Sequence, residues 1–334
     1  MKKTLLALTV AAVATSAQAQ IELYKDDSSS VKVKGQIATF LYMSDKDYKD
    51  PATADTKTDP DVTIWAKTQF DFQHQVTDTL VAGGTFEIQS GTGYDNHNND
   101  AEFDDVAAYL KGDFGVFGIG EIGDVADADD AVSKTDILNE LDNNYVPVGV
   151  GSDSQGNGLV YRNVFGPVTA TVDAFTKENE EESNVYGVSF DYAADMFSIG
   201  ANYRVQSDSN TTVGGNDQSQ DSWAIAADVT PIDALTLAAA YNVYTKESAT
   251  GELETQNLTF SASFAATESL ALYGVYGQQD QDDHGTSTKN AQDIVLGSSY
   301  AVSSLLDVFA EVGSYEAQNE DQETKILLGA YLNF

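Results

Sequence analysis

Apolar side chains recur at every second position along almost the whole chain, and this period confines the fold more than any other feature does. At the C-terminal end Ile326, Leu328, Ala330, Leu332 and Phe334 share one parity, while Lys325, Leu327, Gly329, Tyr331 and Asn333 take the other. Near the start Val31, Val33, Gly35, Ile37 and Leu41 oppose Lys32, Lys34, Gln36 and Ala38. A period of two argues for strands with one apolar and one polar face. No segment after the first few residues has the uninterrupted apolar length of a membrane-spanning helix.

The candidate strands form hairpins with short turns: 62–74 with 80–89, 106–111 with 116–124, 158–163 with 168–175, 185–192 with 196–205, 223–229 with 235–244, 258–264 with 270–277, and 293–300 with 306–314. With the first and last strands they number sixteen. The other connections are long and polar, as at 44–61, 91–105, 207–221, 246–255 and 278–290. Short turns at one rim, long loops at the other and an even strand count predict an all-β fold, a 16-stranded antiparallel transmembrane β-barrel.

Parity also says what fills such a barrel. Phe70, Phe72, Phe86, Ile88, Tyr186, Phe190, Tyr203, Trp223 and Val308 lie on the apolar face; Asp71, Glu87, Asp173, Asp191, Arg204, Asp228, Asp307 and Glu311 lie on the other. Unpartnered charges in a dry core cost several kcal/mol each. The lumen should therefore hold water. A soluble sandwich would turn the apolar face inward and divide sixteen strands among domains, yet the chain has only five prolines and no Pro/Ser-rich linker.

Residues 1–19 read as a secretory signal peptide: Lys2 and Lys3, an apolar run, then Ala17-Gln18-Ala19. The apolar run is about half of the ~20 residues a helical span needs. Residues 20–334 are then the barrel. With 17 Lys+Arg against 53 Asp+Glu the net charge is −36, which excludes a basic nucleic-acid-binding face; only Arg162 and Arg204 are arginine. Zero cysteine excludes a disulfide frame or thiolate chemistry. His74, His97 and His284 are scattered, and no Ser/His/Asp constellation shares one depth in the barrel. The expectation is that the chain is not an enzyme and holds no metal centre.

The chain resembles the general diffusion porins of Gram-negative outer membranes, which are trimeric sixteen-stranded barrels. The likeness runs from Ile21-Glu22-Leu23-Tyr24-Lys25-Asp26 and 31–36, through Gly112-Asp113-Phe114-Gly115-Val116-Phe117 and Val160-Tyr161-Arg162-Asn163, to Phe334 on the last strand. Phe334 resembles the signal read by the outer-membrane assembly machinery. The resemblance implies a cell outer-membrane location, a homotrimer, contact with outer-membrane lipid and lipopolysaccharide, and passive diffusion of small hydrophilic solutes and ions. The loop at 91–105 corresponds to one that in the family latches over a neighbouring subunit.

It also implies a constriction loop at about 125–155 that folds into the lumen, and a connection this long is usually functional. Asp136 and Glu140 fall at the family's acidic positions, although its following Pro, Phe and Gly are replaced by Asn139, Leu141, Asp142 and Asn143. On the basic wall Arg162 matches and Lys67 replaces an arginine, whereas Gln36 stands for a lysine and Glu121 for an arginine. Acids at a narrow point select cations, so the expectation is a cation-selective pore.

Alternatives are a substrate-selective oligosaccharide porin, for which Phe40, Tyr42, Trp65, Tyr109 and Phe175 lie on the inward parity, and an outer-membrane adhesin or receptor barrel. No cofactor is expected. The acidic loops offer oxygen ligands for weakly bound Ca²⁺ or Mg²⁺, at Asp124, Asp127, Asp129 and Asp130 or among the acids of 178–182, 280–283 and 319–323.

Overall fold

The computed structural model describes residues 20–334 except 50–52, 92, 95–99, 142–149, 151–156, 177–182, 210–217, 249–250, 284–285 and 318–321. The expected signal peptide, and most of the acids at 178–182 and 319–323, lie outside the described residues. The strands in chain order are β1 (Ile21–Lys25), β2 (Ser29–Asp47), β3 (Thr56–Lys57), β4 (Asp61–Thr77), β5 (Leu80–Ser90), β6 (Ala101–Gly112), β7 (Gly115–Gly120), β8 (Gly158–Phe165), β9 (Val168–Phe175), β10 (Val185–Ala193), β11 (Phe197–Ser209), β12 (Gln218–Ile232), β13 (Leu235–Ser248), β14 (Gly251–Ala265), β15 (Leu270–Asp283), β16 (Thr286–Ala301), β17 (Leu306–Ala317) and β18 (Gln322–Asn333).

From β4 onward each strand pairs antiparallel with the next; β18 then pairs with β2, and β2 with β4. The ring therefore closes with sixteen strands, while β1 and β3 are short additions to β2. The sixteen expected strands are all present. β7 stops at Gly120 rather than 124, releasing the chain into the lumen sooner. Two expected long loops are instead mostly strand. β13 and β14 are joined through 249–250, and β15 and β16 through 284–285. There the pairing continues in polar residues, for example Gln279 opposite Asn257, so no apolar alternation announces it.

The closing seam uses both chain ends. Gln36 pairs with Asn333, and Gly35 and Phe334 then exchange backbone hydrogen bonds of 2.7 and 2.9 Å. Below them β1 takes over the same edge of β2, with Ile21 opposite Val33 and Glu22 opposite Lys32. A Cβ on Gly35 would lie 2.3 Å from the Phe334 ring, so only glycine seats that aromatic.

The two faces sort as parity requires. Phe72, Ile88, Phe103, Phe117, Tyr186, Phe190, Tyr203, Trp223, Leu272, Leu296 and Leu332 are exposed on the outside. An apolar belt this extensive far exceeds what a water-soluble monomer shows and suits a lipid surroundings. On β4–β6 its rings pack together, Phe70 stacked on Phe86 with centroids 5.1 Å apart and Phe86 tilted against Phe103 at 5.9 Å. Inside, Gln69, Glu87, Asp173, Asn202, Arg204, Asn257, Asp293 and Glu311 are buried polar side chains.

Candidate functional site

The segment after Gly120 turns inward and runs along the inner wall. Ile122 and Ala126 pack with Val150, Val160, Phe175 and Val185, which fixes the loop base over β8–β10. The first of two 3-10 turns (Ala128–Ala131, then Ser133–Thr135) follows, capped by Asp127, whose side chain accepts from the Asp129 amide while Asp130 bonds back to the Asp127 amide. These caps satisfy amides that the turn itself cannot pair. Gly200 on β11 admits the turn: a Cβ there would overlap the Ala131 carbonyl oxygen.

Arg204 on β11 ties the turn down. Its guanidinium meets Asp127, lies 2.9 Å from Asp129 and 3.0 Å from Asp173, and is fully buried. Asp173 also accepts from the Ala128 amide at 2.7 Å, and Asn202 donates to Asp129 at 2.6 Å. Burial pushes the Asp129 carboxyl pKa up, against the pull of Arg204. Nearby, Arg162 on β8 pairs with Asp130 and bonds Thr171 at 3.0 Å. The loop continues with Val132 against Ala224, Ala226 and Ala240 of β12 and β13. Lys134 bonds Asp191 at 2.7 Å and Ser198 at 2.6 Å, with Asp228 at 3.6 Å.

A second anchor holds the far end. Glu311 on β17 accepts from the amides of Asn139 (2.7 Å), Glu140 (3.2 Å) and Leu141 (2.8 Å), and from the Tyr273 hydroxyl (3.0 Å). The Tyr331 hydroxyl donates to Glu140 at 2.6 Å. Leu138 and Leu141 sit among Phe40, Tyr94, Phe309 and Leu327. The loop thus follows the wall from β8 round to β18 and onto Phe40 of β2, and the short-turn end of the β2–β7 wall is left uncovered. A cavity of about 520 Å³ remains there, lined by Lys32, Lys34, Gln69, Asp71, Gln73, Tyr109, Lys111 and Asp124 among others.

The residues expected at the constriction are distributed over this arrangement. Asp136 projects from the loop into accessible space. It makes no ion pair or hydrogen bond among the described residues, and the surrounding protein mass pushes its carboxyl pKa up. Glu140 faces Tyr331 on β18. Lys67 pairs with Glu87 at 3.2 Å and lies 5.9 Å from the Trp65 ring. Gln36 donates to Asn333 at 2.8 Å. Glu121 accepts from the Val106 amide at 2.7 Å, beside the positive-φ residue Asp105 (φ 52°), and so braces an irregular stretch of β6. Arg162 is engaged with the loop's own Asp130 rather than standing clear on a basic wall.

Sequence reasoning missed Arg204, Asp173 and Glu311 as loop anchors, and Lys32, Lys34 and Lys111 as lining residues. A readable signal existed for the first group: charged residues on the inward parity, and for Arg204 a glycine, Gly200, on the same face of its strand. Of the acids considered for divalent cations, Asp127, Asp129 and Asp130 are committed to Arg204 and Arg162. A different set, Glu87, Asp104 and Asp105, brings carboxylate oxygens within 4.8 Å of one another, with Lys67 on Glu87. Of the inward aromatics, Phe40 and Phe175 are buried and Trp65 is half-buried in the packing under the loop, whereas Tyr109 lines the cavity.

A closed, lipid-facing barrel with a polar lumen narrowed by an inserted loop defines a water-filled outer-membrane channel. The chain belongs to the Gram-negative porins, whose family model matches residues 5–320, and its place is the outer membrane. No curated protein matches the chain. Among solved structures it is similar to OmpF of Salmonella typhi in complex with daunomycin (17% identity over 94% of this chain and 100% of that one, TM-score 0.73). It is also similar to the anion-selective porin from Comamonas acidovorans (16%, 92% and 100%, TM-score 0.73) and to the trimer form of OmpT of Vibrio cholerae (14%, 92% and 100%, TM-score 0.66).

Proposed function

We propose that this porin passes small hydrophilic solutes and ions by passive diffusion and prefers cations. The observation that carries the preference is how the cations around the inserted loop are spent. Arg204 faces three carboxylates and Lys134 faces two, so both knots stay net negative. Asp136 and Asp124 add carboxylates that form no ion pair among the described residues. In a narrow, low-dielectric ring such charges focus the field and favour cations. The reversal potential across a KCl gradient in a planar bilayer tests this, and a preference for chloride overturns it. The preference should shrink near 1 M salt, where screening reaches about 3 Å.

The reading needs no resident cofactor and no catalytic group. A homotrimer is part of it, supported by the stacked phenylalanines on the outer face of β4–β6 and by the trimer form of the Vibrio cholerae relative. Tyr94, from the loop between β5 and β6, turns into its own barrel, where its carbonyl accepts from Thr63 at 2.6 Å. Any latch over a neighbour would then use other residues of that loop, and 95–99 lie outside the described residues. Lipopolysaccharide and the assembly machinery are the remaining proposed partners, with Phe334 as the assembly signal. An unchanged heat-stable oligomer after deletion of 95–99 would remove the latch but not the pore.

A further inference from the structure

The uncovered short-turn end of the β2–β7 wall carries three lysines. Lys32 and Lys34 stand on β2 near the point where Ser29 pairs with His74. Lys111 stands on β6 directly before Gly112 and the short turn to β7. Both places belong to the rim of short turns, which in such barrels is the periplasmic one. All three side chains line the same cavity of about 520 Å³, with Gln69, Gln73 and Tyr109 as neutral partners.

None of the three makes an ion pair or a side-chain hydrogen bond among the described residues. In a chain with 53 acids this is unexpected, because carboxylates are available nearly everywhere. Of the two acids on the cavity, Asp71 already accepts from Gln20 at 2.7 Å and Gln69 at 3.0 Å, and Asp124 forms no ion pair with any of the three among the described residues, so the lysines outnumber the acids and the cavity stays positive. Three ammonium groups around one cavity repel one another, and an anion with several oxygens relieves that repulsion through charge-assisted hydrogen bonds.

We infer that this vestibule binds small multivalent oxyanions, polycarboxylates or phosphates, entering from the periplasmic side. The inference rests on the channel reading and adds a sided site to it. An anion arriving from outside must first pass Asp136, Glu140 and the net-negative anchor knots. One arriving from the short-turn rim meets the lysines first.

Two measurements test it. In planar bilayers, citrate or inorganic phosphate added at the short-turn side should block potassium current, and the same addition at the loop side should block far less. The short-turn side is identified by streptavidin capture of a biotinylated D113C variant, which is selective because the chain has no native cysteine. In detergent, calorimetric titration with citrate should show affinity falling about tenfold or more in K32Q/K34Q/K111Q and largely kept in K32R/K34R/K111R. The arginine variant separates lost charge from a damaged barrel.

Equal block from both sides, no block, or binding that survives in the glutamine variant overturns the inference. A protein that conducts but is not blocked keeps the porin reading and loses the vestibule. If it does not conduct, the porin reading fails, and the titration still decides the site.

Discussion

Arg204 and Asp173 meet at 3.0 Å on adjacent parts of the lumen wall, and both side chains are wholly withdrawn from water. An ion pair in a water-filled barrel is normally weak, but this one lies beneath the loop it secures, with Asp127 and Asp129 closing over it. Removing one partner of a buried pair costs about 3–5 kcal/mol because the other is left uncompensated. Arg204→Ala would leave three carboxylates together and should release the loop base. The expected outcome is larger, noisier single-channel conductance with the barrel itself intact on a denaturing gel. Arg162→Ala, whose pair with Asp130 is half-exposed, should cost about 1 kcal/mol or less and leave conductance nearly unchanged.

The opposite anchor predicts a different pattern. Glu311 takes three loop amides on two oxygens, and Gln can offer only one acceptor oxygen. Glu311→Gln should free Asn139–Leu141 without disturbing the Arg204 knot. Glu311→Gln and Arg204→Ala combined should raise conductance by more than the sum of the two, because either anchor alone still restrains the same loop.

Asp136 supplies a pH dependence. Its carboxyl is raised above the ordinary range by the protein mass around it, which thins the water that would solvate the charge, so the charged form is the disfavoured one in the folded loop. That penalty is present at neutral pH, is relieved as pH falls through the raised value, and is gone below the ordinary carboxylate pKa of about 4. Cation preference should begin to fall above the range expected for a free aspartate. Reversal potentials measured from neutral to acid pH check this, and Asp136→Asn should remove the earliest part of the change.

The seam gives a stability prediction. Gly35→Ala places a methyl 2.3 Å from the Phe334 ring, and such overpacking costs about 1–3 kcal/mol. Heat-modifiable gel mobility should shift to lower temperature. In refolded protein, Phe334→Ala in the same background should recover part of the loss, since the ring is then gone and only the Lys67 carbonyl, 2.8 Å from the methyl, remains.

The barrel was legible because membrane strands must alternate along their whole spanning length, and Val31–Leu41 or 326–334 cannot hide that habit. Polar extensions such as Gln278–Asp283 carry no such mark, so β15 and β16 read as shorter than they are. The site was legible only in part. Asp136 and Glu140 sit on the inserted loop as expected, but nothing local in the sequence says that Arg162 faces Asp130, or that Glu311, some 170 residues away, receives the loop tip. Those pairings depend on the path of the loop, which is set by which wall positions lack a side chain, as at Gly200.

The seam between the two chain ends also orders assembly. β2 can pair with β4 early, but its other edge must wait for β18 and Phe334, made hundreds of residues later, to meet β1 along the same line. Contacts this distant in sequence form slowly. Until they form, the sheet has two open edges capable of pairing with another chain. A chain that loses β18 is therefore an open, adhesive sheet rather than a fifteen-stranded pore, and the clasp at Gly35 and Phe334 is where a finished barrel can be told from an unfinished one.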